Sequence, residues 1–316
     1  MTNTNIIDIN TQANERTATW SAIGTNVAVA TTIDEVLDMA NLNYTVTPQK
    51  MYLANGIEVP DKFCNVDNNG NIKGVVGKNY TVCQNRDAFG FVNNISDRLT
   101  FVKAGETHWG MIYIIAKLED VNCLGDKITP YVIFQNSHNG LTTLKTTICP
   151  LRIVCQNQFA MSFKGNPNAV TIHHCKTIAD KMHEAEYLMK NVASYMQGFV
   201  LSAEELAALK IDYKKANCII TKFFEQALKA NATARQINAV AEKVQNMQDI
   251  YNRTVTTDLA NFKNTGWGLV NAFSDFVTHQ KPARITDTSD EYKFNTVTFN
   301  VKVMAEFIKF MKAQVA

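Results

Sequence analysis

The chain has 316 residues, 46% of them hydrophobic and 19% charged, with 31 Lys and Arg against 29 Asp and Glu and only six prolines. That is enough apolar material for one large domain or two ordinary ones, and it excludes a disordered or Pro-rich protein. A net charge of +2 excludes a histone-like polycation but leaves room for a local basic groove.

Residues 1–19 read as a polar, mobile arm. Thr32-Ile33-Asp34-Glu35 is a capping box, because the Thr hydroxyl and the Glu carboxylate can each take a free N–H at a helix start. It predicts a helix with Ile33, Val36 and Leu37 on one face, stopping near Asn41. Asp67-Asn68-Asn69-Gly70-Asn71 is the strongest turn signal and predicts a hairpin of Lys62–Val66 with Ile72–Val76. A short helix from Arg86 to Leu99 turns Phe89, Val92 and Ile95 inward.

From Leu99 to His174 the pattern is β. Met111–Ala116 and Tyr131–Phe134 are β-branched and aromatic runs too short for helices. Leu151–Phe163 is long and apolar, with Pro150 limiting strand pairing at its start. Residues 165–168 form a turn, and Ala169–His173 a return strand. After Cys175 the chain becomes helical, beginning with a helix of about 24 residues whose apolar positions recur from Ile178 to Phe199. Ser202-Ala203-Glu204-Glu205 is a second capping box that predicts a new short helix. Further helices are expected around Ile219–Leu228 and over Gln236–Tyr251, Gly266–His279 and Val297–Met311. A β-rich half (20–174) followed by a helical half (175–316) predicts an α+β fold with an antiparallel sheet, the two halves forming one continuous domain.

The seven cysteines are odd in number, scattered and without a C-x-x-C pair, which fits buried thiols in a reducing compartment. No apolar run approaches the roughly 20 residues that span a bilayer. The N-terminal stretch lacks the basic and apolar regions of a signal peptide. These features predict a cytoplasmic protein. Charge is uneven: residues 1–60 carry 2 basic and 6 acidic side chains, residues 121–200 carry 7 and 4, and residues 201–316 carry 15 and 12. An acidic head on a mildly basic body is compatible with a polyanion partner and equally with ordinary surface variation.

The phosphate-loop, dinucleotide, zinc-protease and nucleophile-elbow motifs are absent; Gly74-Val75-Val76-Gly77-Lys78 is too short for the first and is followed by Asn79. His173, His174, Cys175 and His183 form the one metal-like cluster, but neighbouring histidines on a strand face opposite ways, so no metal is expected. Cys155 with His138 is a poor nucleophile pair, because apolar flanks raise a thiol pKa.

Three stretches remain. Asn136-Ser137-His138-Asn139-Gly140 follows a buried strand and is either a ligand-facing loop or a hairpin turn. Arg152 stands among apolar residues and must pair with a carboxylate, a carbonyl or a ligand phosphate; alternation puts it on one strand face with Gln156, opposite Asn157. Lys145 and Lys164 would extend it into a basic strip. Trp267 lies between two glycines at a helix start, where it either packs or stacks on a base.

Taken in order, Gly74–Tyr80, Gln135–Gly140, Cys149–Asn157 and Gly266–Ala272 with His279 resemble the phage/plasmid-like protein family, a domain of unknown function found in phages, prophages and plasmids. The resemblance runs from Trp20 to Met311, and Arg152-Ile153-Val154-Cys155-Gln156-Asn157 is its most specific segment. Such proteins read Asn-Ser-His-Asp-Gly where this one has Asn139 for the acid. Membership implies a mobile-element protein in the bacterial cytoplasm. The order of a β-rich half and then helices is similar to single-strand-annealing recombination proteins, which implies an oligomer.

The leading expectation is therefore a non-enzymatic protein that binds and anneals single-stranded DNA, without cofactor, metal or membrane. Lys145, Arg152, Lys164, Asn136, His138, Asn157 and Trp267 are its candidate contacts, and Tyr131 or Phe159 are further stacking residues. The alternatives are a counter-defence or other binding protein with a nucleotide, small-molecule or protein ligand, and a structural or virion-associated protein.

Overall fold

Six consecutive apolar residues, Met111–Ala116, make a strand that needs cover on both faces. The computed structural model, which describes residues 17–142, 144–162, 167–171, 178–256, 259–280 and 285–315, provides that cover. Strands are numbered in chain order: β1 Thr25–Asn26, β2 Val46–Tyr52, β3 Glu58–Asp67, β4 Ile72–Gly77, β5 Thr100–Glu106, β6 Met111–Lys117, β7 Val121–Cys123, β8 Asp126–Ser137, β9 Lys145–Arg152, β10 Asn157–Gln158 and β11 Ala169–Thr171. The main sheet has the order β1-β5-β6-β8-β9-β10, with β7 beside β8 and β11 beside β9. All of its pairings are antiparallel.

Alternation along the strands sends side chains into two separate cores. Ile112, Ile114, Val132, Phe134 and Ile148 join the large core shared with the helices. Met111, Tyr113, Ile115, Ile133, Cys149 and Leu151 join a smaller core closed by Trp20 and Phe294. The helices are α1 Ile33–Met39, α2 Asn85–Phe89, α3 Ile178–Ala208, α4 Tyr213–Glu225, α5 Ala234–Thr256, α6 Gly266–His279, α7 Ser289–Phe299 and α8 Val301–Val315. The α+β expectation holds, with antiparallel sheets in the first half and helices in the second.

The second sheet has three strands, β2-β3-β4. Its β3–β4 hairpin turns at Asp67–Asn71 as the Asn-Gly signal requires, with Asp67 Oδ1 accepting from the Asn69 and Asn71 amides. Its pairing is irregular: the β2–β3 register breaks between Lys50 and Tyr52, and the β3–β4 register between Asn65 and Val66. Within β3, Asp61 takes a φ of 57° just after Pro60.

The capping box at Thr32 and Glu35 forms as expected. The Ser202–Glu205 box does not open a helix, because α3 runs through it to Ala208. Ala203 and Leu206 are fully buried, so packing keeps the helix in register past a local start signal. The helix expected over Arg86–Leu99 is α2 followed by a 3₁₀ segment, Gly90–Arg98. The one expected over Val297–Met311 breaks at Asn300 into α7 and α8. Leu151–Phe163 is not one extended run: Gln156 takes a φ of 55°, and the chain turns from β9 back as β10.

Helix α6 crosses the centre and is buried along nearly its whole length. Thr265 caps it by accepting from the Gly268 amide, and Gly266 is needed because a Cβ there would lie 2.9 Å from the Leu206 carbonyl oxygen. Phe273 stacks on Phe307 with centroids 3.9 Å apart, and both meet Phe223 edge-on. Replacing Phe273 with Ala should therefore lower the free energy of unfolding by about 3–5 kcal/mol in a urea titration, without changing the far-ultraviolet spectrum of the folded state.

Candidate functional site

Two polar clusters form, at opposite ends of β8. At its C-terminal end the second sheet docks on the main one. Asn65 Nδ2 donates to the His138 carbonyl (2.6 Å), Tyr80 Oη to the Ser137 carbonyl (2.9 Å), and Asn136 Nδ2 to the Cys83 carbonyl and to Asn85 Oδ1. Asn139 Nδ2 donates to the Trp109 carbonyl at 2.7 Å, a bond that a carboxylate in its place could not make. Gly74 permits the approach, because a Cβ there would lie 2.5 Å from the Asn139 Cα. The Asn136–Gly140 stretch is thus both a turn and the dock between two sheets.

Ionisable groups collect beside it. Lys73 Nζ lies 2.9 Å from Glu106 and 3.5 Å from Asp67, and sits 3.9 Å above the Tyr44 ring. Tyr44 Oη also donates to Glu106. Burial disfavours charge on Asp67, but hydrogen bonds from Asn71 and Asn69 and the Lys73 charge outweigh it and hold the carboxyl below its usual range. Burial drives the Tyr44 hydroxyl well above its usual range.

His138 is 2% exposed, and its Nε2 donates to Asn85 Oδ1 at 3.2 Å, which leaves Nδ1 as a bare acceptor. Among the described residues Nδ1 has no partner, and neither has the buried Asn65 Oδ1. Burial pushes the imidazole pKa down to about 4, with Glu106 opposing and Lys73 assisting. Sequence reasoning missed Tyr44, Asp67, Lys73 and Glu106; Asp67 and Lys73 flank one hairpin turn, and Glu106 joins them only because the sheets dock.

The other cluster lies at the start of β8. Arg152 is 1% exposed; its Nε donates to Asp126 Oδ2 at 3.0 Å and its Nη2 to Oδ1 at 3.2 Å. Burial opposes the guanidinium charge, and Asp126 more than restores it. Nη1 reaches Cys155 Sγ at 3.4 Å, but burial outweighs Arg152 and keeps the thiol pKa raised. Asn157 Nδ2 donates to the Asn271 carbonyl, and His279 Nε2 bonds to the Cys155 carbonyl and Asn157 Oδ1. Ser274 and Thr278 of α6 bond to the backbone of Gln158, so the helix closes this strand.

The expected basic strip does not assemble among the described residues. Lys145 and Arg152 stand at opposite ends of β9, about 23 Å apart, and an odd spacing of seven sends them to opposite faces. Lys145 instead lies 5.8 Å from the Phe299 ring. Lys164 lies outside the described residues. Trp267 is 1% exposed, stacked on Phe159 and edge-on to Phe199, so it packs in the core. Asn136 and His138 are together at one end of β8; Arg152 and Asn157 are together at the other. Cys155 and His138 therefore never meet.

His173, His174 and Cys175 lie outside the described residues, and no group of metal-ligating side chains occurs among the described ones. Of the six described cysteines Cys218 alone is exposed.

Two neighbouring helices carry a concentration of exposed lysines. Helices α4 and α8 each carry three lysines and one glutamate: Lys214, Lys215 and Lys222, and Lys302, Lys309 and Lys312. All six are exposed, and the helices pack through Phe223 against Phe307 and Phe310. The spacing of Lys302, Lys309 and Lys312 on one helical face was readable in the sequence.

Two outcomes follow. Arg152→Ala should cost about 3 kcal/mol of stability in urea, whereas Lys145→Ala should stay within about 0.5 kcal/mol. His138, whose pKa falls from an ordinary 6.5 to about 4, stabilises the fold fully above pH 6.5. That contribution, roughly 3 kcal/mol, drains away between pH 6.5 and 4 as the unfolded chain takes up the proton that the folded chain refuses. Urea titrations of His138→Gln should lose the slope in this window.

No curated protein and no solved structure matches the chain. No helix among the described residues is long and apolar enough to cross a membrane. The model of the family described as "Domain of unknown function (DUF932)" matches residues 73–297, well over half the chain, including the Arg152 cluster and all of the His138 cluster but Tyr44, Asn65 and Asp67, and the protein belongs to that family.

Proposed function

We propose that this protein is a non-enzymatic, single-stranded-DNA-binding protein of phage or plasmid origin that works as an oligomer in the bacterial cytoplasm and promotes annealing. The observation that carries the reading is the surface of α4 and α8, two packed helices with six exposed lysines against two glutamates. Long, mobile ammonium groups on a helix face suit a phosphate backbone, which is contacted as a line of charge without regard to sequence. The phosphate contacts are thereby assigned to the helices. Arg152 and Trp267, both committed to the interior, are left as scaffold.

A second reading rests on His138 Nδ1 and Asn65 Oδ1, two buried acceptors beside an ion-paired lysine. They suit a small ligand with N–H or O–H donors, as a counter-defence binding protein would hold. Native mass spectrometry of protein from its own host would reveal a retained molecule.

The DNA reading is tested by fluorescence anisotropy with a labelled oligonucleotide between about 50 and 200 mM salt. Binding should weaken steeply as salt rises. Replacing Lys302, Lys309 and Lys312 together with Gln should reduce the slope of log affinity against log salt by about 2, at roughly 0.7 per phosphate released. No binding at low salt, or binding without a slope, would sink it.

A further inference from the structure

Helices α3 and α8 leave a groove between them of about 360 Å³. Met161 and Ile308 give it an apolar floor, Ser162 and Ser202 place hydroxyls on its walls, and Lys309 and Lys312 stand at its edge. The Ser162 hydroxyl is already engaged with Asn168 Oδ1 at 3.0 Å. Lys309 makes no ion pair among the described residues. Lys312 is 3.4 Å from Glu205 of α3, in a pair whose side chains are 45% and 69% exposed. An ion pair that open to water is weak, so an incoming anion can take its place.

Volume and chemistry together narrow the occupant. The volume falls at the small end of the roughly 300–1,000 Å³ typical of small-molecule sites. Cations three residues apart on a helix stand side by side, so Lys309 and Lys312 can close on one phosphate. Below them, a thioether and a branched aliphatic chain offer a sequence-tolerant surface to the flat face of a base. A purely apolar ligand would leave the lysines unused, and a bare phosphate would leave the floor unused.

We propose that this groove seats one unstacked nucleotide of a bound single strand, its base against Met161 and Ile308 and its phosphate on Lys309 and Lys312. The inference rests on the DNA-binding reading above and adds to it a place where a base, and not only the backbone, is held.

The test compares a natural oligonucleotide with a fully abasic strand of the same length and charge, using anisotropy with the full-length protein. The wild-type protein should bind the natural strand about tenfold more tightly, in line with the loss of one base contact. Ala305→Trp, which fills the groove from α8 without changing charge, should abolish that preference and keep the salt slope. Ser202→Trp fills it from the opposite wall and serves if Ala305→Trp does not fold, as judged by its thermal melt.

Equal binding of both strands by the wild-type protein overturns the nucleotide seat and leaves the DNA reading standing. So does a preference that survives in a folded, groove-filled variant. If neither strand binds at low salt, the DNA reading falls and the seat falls with it. Oleate retained in native mass spectra of the wild-type protein but not of the filled variant, with no preference for bases, assigns the groove to an acyl chain and overturns the proposal.

Discussion

Burial of the main sheet on both faces is the constraint from which the rest of the architecture follows. Every residue of β6 from Met111 to Ala116 is sealed from solvent, and β8 is nearly as deep. A sheet in that position has no wet side on which to discharge polar groups, so each one that enters must bring its own partner. Gln135 is held by Thr147 and Met111 on one face, and Asn136 by Asn85 and the Cys83 carbonyl on the other. Arg152 carries Asp126 with it. The polar residues that look like a site in the sequence are largely the means by which a doubly covered sheet stays satisfied.

This explains what the sequence could and could not convey. Local chemistry was legible: the Thr32–Glu35 cap, the Asp67–Asn71 turn and the succession of β-rich and helical halves all depend on near neighbours. The need of Arg152 for a partner was legible too, from its apolar flanks. That the partner is Asp126 was not, because it sits on the neighbouring strand, 26 residues earlier. The Ser202 box misleads for the same reason in reverse, since a local signal gives way to the burial of Ala203 and Leu206. The cluster of Tyr44, Asp67, Lys73 and Glu106 exists only in three dimensions. Glu106 comes from the main sheet, Asp67 and Lys73 from the small one and Tyr44 from the segment before β2, and no spacing rule links Tyr44 or Glu106 to the hairpin.

Division of labour between the halves changes the meaning of the charge. Two sheet cations, Lys73 and Arg152, are tied to carboxylates inside, whereas the six lysines of α4 and α8 are exposed. A net charge near zero for the whole chain therefore hides both buried ion pairs in the sheets and an exposed lysine surface on α4 and α8. Under the proposed function, the sheet is a rigid frame and the helices are the instrument.

The small sheet has a further implication for how copies of this chain can meet. Its two outer strands, β2 and β4, have open edges among the described residues, and such edges invite strand-to-strand pairing between molecules. Pro48 and the register break in β2 make its edge a poor template, while Pro60 and the left-handed Asp61 bend the strand between them. On the β2 side, irregularity that looks like imperfect folding thus works as insulation. Copies of the chain that meet along β2 find no continuous ladder to extend, so contact there is left to side chains.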